Sequence, residues 1–308
     1  MLGFNISLFA LKSCKAAGDA PPTNKAPQPK SEPVKPKEEP KVEPAKPKKE
    51  YVPEFVEVPV YRKGEEGTVY GDIISHVKGA PFGAAHGRST DAHETSHGIH
   101  NELRNGYQQK LGRRVNGFYA LEGRGVIIDE PGIKMSHAVP FIPENLRSYR
   151  YKLYMMQQLK DWNDTPLYIL DEWTAYVNGG MCGVDDIAKG KHKEGWTDLV
   201  SGCLDFSIYT TALCMAVKKN DPEYWEKNPQ LKNYVIWQMK RAEKTFLTGR
   251  VLKECKWETQ DKLLLQLLTS TEAAPMRTFL KDELDGIWLS IDPAKVKEID
   301  YEGTPRDR

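Results

Sequence analysis

Ser89-Thr90-Asp91-Ala92-His93-Glu94-Thr95-Ser96-His97 is the stretch on which the reading of this chain turns. Three short polar residues able to cap a helix precede two histidines spaced four apart. On a helix those positions differ by about 40° in azimuth and ~6 Å in rise, so both imidazoles can converge on one metal ion while Glu94 points beside it. The pattern predicts a helix over 89–105, stopped by Asn105-Gly106.

A metal held by this HExxH pair requires a third protein ligand and an open position. His100 shares the histidine face but lies ~10 Å along the axis from His93, too far for both to reach one ion, so it is expected in an outer or substrate-facing place. After His97 the chain reads Gly98-Ile99-His100-Asn101, without the extended glycine and histidine pattern of metzincins. Downstream, Leu170-Asp171-Glu172-Trp173-Thr174-Ala175-Tyr176-Val177-Asn178-Gly179 forms a mostly apolar helical stretch in which a carboxylate needs a partner.

HExxH together with Glu172-x-x-Ala175 resembles the gluzincins, a clan of zinc metallopeptidases, and among them the lethal-factor-like and Ste24-like peptidases have a similar second motif. The resemblance covers two helices. It implies Zn²⁺ held by His93, His97 and Glu172, with Glu94 as general base in the hydrolysis of a peptide or protein substrate. Asp171 is the competing ligand if the register differs by one residue, and otherwise holds the free N–H of a ligand histidine. Tyr176, one turn after Glu172, and His137 are the candidates to stabilise the oxyanion. The clan also implies pairing of an extended substrate with a strand edge, around 119–128 or 69–74.

The remaining sequence sets this helix in an α+β fold: a small antiparallel or mixed sheet packed on it, followed by a mainly helical subdomain. Strands are expected within 51–77, at 55–60 and 68–74, and a hairpin or short meander over 117–141. Helices are expected at 144–161, 166–179, 197–219, 229–248, 257–270 and 275–288. The catalytic domain is thus placed at 51–308, β-rich to 143 and helical beyond it.

Residues 1–11 form a short apolar head, and Leu11-Lys12-Ser13-Cys14 resembles a bacterial lipoprotein box, with Lys12 where that pattern has a small uncharged residue. The thirty residues 21–50 hold nine prolines, eight lysines and five glutamates, too little apolar content for a core, and predict a disordered, extended spacer. Head and spacer predict an extracytoplasmic protein tethered to a membrane or envelope, or else a solvated tail on an unprocessed start. Lys plus Arg number 44 against 43 Asp plus Glu, which leaves no positive field for nucleic acid. Cys14, Cys182, Cys203, Cys214 and Cys255 have no CxxC spacing; buried free thiols and disulfides both fit. Two rival readings of function are a zinc amidase acting on a non-protein amide with the same four residues, and an inactive tethered binding protein using the helical half from Trp196 onward.

Overall fold

Thr68 turns the chain into its first helix. Its side chain accepts from the Gly71 amide at 2.9 Å, and Ile73 and Val77, four apart, bury one side of the helix α1 (Val69–His76). The β-rich composition of 68–74 predicts a strand there; burial of that apolar face and the Thr68 cap override the propensity. The computed structural model describes residues 51–193 and 198–296. The expected export head, residues 1–20, and the spacer, 21–50, lie outside the described residues.

The long helix α2 (Arg88–Leu111) begins at Gly87, whose φ is 97°, and no side chain caps it; Ser89, Thr90 and Asp91 lie inside its first turn. Asn105-Gly106 does not stop it. The helix runs on to Gly112, whose φ of 65° lets its amide donate to Gln108 O at 2.9 Å. An interior glycine costs a helix only about 1 kcal/mol, which the packed N-terminal part of α2 offsets.

Three strands form an antiparallel sheet in the order β1-β3-β2: β1 (Val56–Glu57), β2 (Val115–Tyr119) and β3 (Arg124–Asp129). The class is therefore α+β, but of the strands expected within 51–77 only the two residues of β1 pair. β2 and β3 make the expected hairpin through a turn with positive φ at Leu121, Glu122 and Gly123. β2 lies against α2, where Gly117 leaves space for Leu103: a Cβ there would sit 2.4 Å from the Leu103 Cβ.

The second half is helical, with α3 (Leu159–Trp162), α4 (Tyr168–Ala188), α5 (Ser201–Asn220), α6 (Pro222–Lys227), α7 (Pro229–Gly249), α8 (Gln260–Thr269), α9 (Ala274–Glu283) and α10 (Pro293–Val296). α5 is buried around its circumference and reaches solvent at Lys218-Lys219-Asn220, which makes it the central helix. The helix expected over 144–161 is broken into a 3₁₀ turn at Glu144–Leu146, a wide π-type segment at Tyr151–Gln157, and α3. Cys182, Cys203, Cys214 and Cys255 are buried and free, so disulfides do not involve them; Cys14 lies outside the described residues. Asn178 of α4 joins the two halves by donating to Ser96 Oγ at 3.2 Å and to Tyr119 O at 3.0 Å.

Candidate functional site

α2 and α4 pack closely at Gly179. A Cβ at that position would stand 2.9 Å from Ser89 O and 3.2 Å from the His93 Cβ, and Ser89 Oγ closes the contact by donating to Gly179 O at 2.7 Å. Two turns earlier on α4, Glu172 lies across from the two histidines of α2.

Three donor atoms converge there. His93 Nε2 and His97 Nε2 face one another at 3.1 Å, and Glu172 Oε2 lies 3.8 Å from the first and 3.6 Å from the second. Ligands ~2.0–2.2 Å from a tetrahedral ion stand about 3.3–3.5 Å apart, close to this triangle. Glu172 Oε2 is buried without a hydrogen-bond partner, an expense that a native fold rarely leaves uncompensated. The residues present therefore fit a divalent ion of the zinc type.

Asp171, the residue before Glu172, holds the other side of the site. Its Oδ1 accepts from His97 Nδ1 at 2.5 Å and from His100 Nδ1 at 2.9 Å, and its Oδ2 accepts from Arg104 Nη1 at 3.2 Å. Those separations are within hydrogen-bond range, shorter than the spacing of two ligands around one ion, although Asp171, His97 and His100 also form a second cluster of possible ligand atoms within 4.8 Å of one another. With Nδ1 of His97 donating to Asp171, Nε2 is the nitrogen turned toward His93 and Glu172. His100 is fully buried, and its Nε2 has no partner.

Burial pulls the protonation of His93 well below the usual histidine range, helped by the neighbouring His97 and Arg150. Burial acts the same way on His97, but the hydrogen bond of Asp171 and the charges of Asp171 and Glu172 outweigh it and raise that imidazole well above its ordinary value. Burial pushes the Asp171 carboxyl upward, and His100 and His97 outweigh it, holding the group far below the carboxylate range.

His93, Glu94, His97 and Glu172 line one cavity of about 740 Å³. His93 and Glu94 also line a second cavity of about 450 Å³, and Tyr154 borders both, so the two adjoin as arms of one cleft, with His97 and Glu172 on the larger arm. Glu94 is half-buried, with no hydrogen-bond or ion-pair partner among the described residues.

The candidates beyond the donor triangle divide. Tyr176 packs edge-on against His93, ring centroids 4.4 Å apart, with its hydroxyl 3.1 Å from that of Tyr154. His137 is exposed in the 3₁₀ turn Met135–His137 and lines neither arm of the cleft. Of the strand edges expected to receive substrate, 69–74 is helical, and in 119–128 β3 is paired along one side with β2 and on the other with β1 at Arg124 and Gly125. The outer edge of β2 is occupied, Val115 O accepting from Gln108 Nε2 at 2.9 Å and Tyr119 O from Asn178 Nδ2.

Three residues of the site escape the sequence reading. Arg104 follows His97 by seven positions and Tyr168 precedes Glu172 by four, so helical periodicity could have found both. Tyr154 carries no such signal, because its segment is not a regular α-helix. Comparison with family models, with characterised proteins and with solved structures finds no match for this chain, and the site is read from its own geometry.

Proposed function

We propose that the protein is a zinc-dependent endopeptidase in which His93, His97 and Glu172 hold the ion and Glu94 is the general base. The observation that carries this reading is the triangle of two imidazole nitrogens and one orphaned buried carboxylate oxygen, with a half-buried glutamate in the same cleft. Two imidazoles and a carboxylate are a donor set suited to catalytic zinc. Such an ion supplies Lewis acidity, lowering the pKa of water beside it and polarising a substrate carbonyl.

The chain's own residues supply the rest. Glu94 takes a proton from the attacking water and delivers it to the leaving amine nitrogen as the C–N bond breaks and the new C–O bond forms. Asp171 fixes the tautomer and orientation of His97, and His100 and Arg104 hold Asp171. Tyr154, bordering both arms of the cleft, is the favoured hydrogen-bond donor to the oxyanion, with Tyr176 behind it. Burial keeps the Tyr154 phenol protonated far above neutral pH, and the nearby Glu172 charge adds to this.

A cleft with two arms favours an extended polypeptide over a small amide. Among the described residues no helix is long and apolar enough to cross a membrane; the head and spacer of residues 1–50 would hold this domain at a membrane or envelope surface. The test is cleavage of denatured casein by the zinc-loaded chain. The expected result is hydrolysis that stops in Glu94→Gln while zinc is retained; undiminished hydrolysis in that variant contradicts the assignment of the base.

A further inference from the structure

We infer that the smaller arm of the cleft is a subsite for an aromatic or large aliphatic side chain of the substrate, next to the bond that is cut. This rests on the peptidase reading and adds its substrate class.

The observation is two uncovered aromatic rings at one cavity. Phe82 is 57% exposed and Tyr149 is 50% exposed, both line the 450 Å³ arm, and Tyr176 and Leu199 line it too. Exposed apolar surface concentrated in a concave site marks a place that something covers.

Both rings are held in position. The Phe82 amide donates to Thr95 Oγ1 at 3.1 Å and the Gly83 amide to Asp91 Oδ1 at 2.7 Å, which pins this loop to the first turns of α2. The Tyr149 hydroxyl donates to Asp198 Oδ2 at 2.6 Å, and its ring lies 4.6 Å from the Arg150 guanidinium. A binding surface fixed beforehand loses little freedom when a ligand side chain enters.

Arg150, which lines this arm, is already paired: its Nη2 meets Asp198 Oδ2 at 2.6 Å and its Nη1 meets the buried Asp205 at 2.7 Å, so it does not attract an Asp or Glu side chain. Glu94, which has no ion-pair partner among the described residues, lines the arm where it meets the donor triangle. The larger arm has a mixed lining, with Asn116, Gln158, Asp161 and Thr165 beside Trp162 and Tyr168. The two arms meet at His93 and Glu94, which places the smaller arm beside the residues that would act on the bond.

The full zinc-loaded chain is incubated with an equimolar mixture of decapeptides randomised at four central positions, and the cleaved bonds are read by mass spectrometry. The expected result is enrichment of Phe, Tyr, Trp, Leu and Met on one side of the cut only. Phe82→Ser, at an exposed loop position, should lower kcat/KM for peptides with an aromatic residue there about tenfold relative to the matched alanine peptide. Cleavage without one-sided enrichment, or an aromatic preference unchanged in Phe82→Ser, overturns the subsite while leaving the peptidase reading intact. Absence of any cleavage removes the peptidase reading, and the subsite is then decided by binding: fluorescence anisotropy of a labelled Phe-containing decapeptide on Glu94→Gln should show affinity about tenfold above its alanine counterpart, and equal affinities overturn it.

Discussion

His97 Nδ1 lies 2.5 Å from Asp171 Oδ1, while His97 Nε2 faces Glu172 Oε2 at 3.6 Å. Two consecutive carboxylates of α4 thus address opposite nitrogens of one imidazole, Asp171 at Nδ1 and Glu172 at Nε2. Asp171→Asn is expected to weaken zinc binding roughly 10–100-fold, as loss of a ligand's outer partner usually does. Competition against a chromophoric chelator measures it, and an unchanged affinity contradicts the supporting role.

Gly179 and Gly106 make a matched pair for testing the crossing of α2 and α4. Gly179→Ala brings a methyl group to within 2.9 Å of Ser89 O and should destabilise the fold by about 1–3 kcal/mol. Gly106 lies exposed within α2, and a methyl group added there would meet nothing within 4 Å, so Gly106→Ala should stabilise by about 0.5–1 kcal/mol. Urea unfolding of both variants reads the opposite signs.

Arg150 is buried between Asp198 and Asp205, themselves partly and fully buried. Arg150→Met leaves the Asp205 charge uncompensated and is expected to remove about 3–5 kcal/mol of stability. Adding Asp205→Leu to the same chain should restore most of that loss. A double variant no more stable than the single one contradicts the pairing.

Burial pushes the Glu130 carboxyl up to about 7, against the opposing Leu167 amide, Arg114 and Asn116. Because the folded state holds this proton more tightly than the unfolded chain, stability is greatest below the ordinary glutamate range and falls as pH rises toward about 7. The expected loss is about 1–3 kcal/mol, discounted for the part of the residue that water reaches. Unfolding in chelator at pH 5 and pH 8 should show this difference in the wild type and a smaller one in Glu130→Gln; equal pH slopes contradict it.

The juxtaposition of His93, His97 and Glu172 was legible in the sequence because helical spacing leaves a strong trace. His93 and His97 needed only a four-residue interval, and Glu172 needed an apolar helix around it. Local patterns misled where packing decides. Thr68–Ile74 looks like a strand because Val69, Tyr70, Ile73 and Ile74 favour one, yet the Thr68 cap and the buried side carrying Ile73 make it α1. Asn105-Gly106 looks like a stop, but both residues are exposed and the helix passes through them to Gly112. Tyr154 was out of reach: its place at the cleft depends on the wide helical segment Tyr151–Gln157, which has no period to read.

Zinc stoichiometry of the purified chain, measured by mass spectrometry beside Glu172→Ala and His97→Ala, tests the central claim most directly. The account predicts about one ion per chain in the wild type and loss of tight binding in both variants, with far-ultraviolet circular dichroism showing them folded. A wild type that binds no zinc, or a Glu172→Ala protein that keeps its ion as tightly, would contradict it.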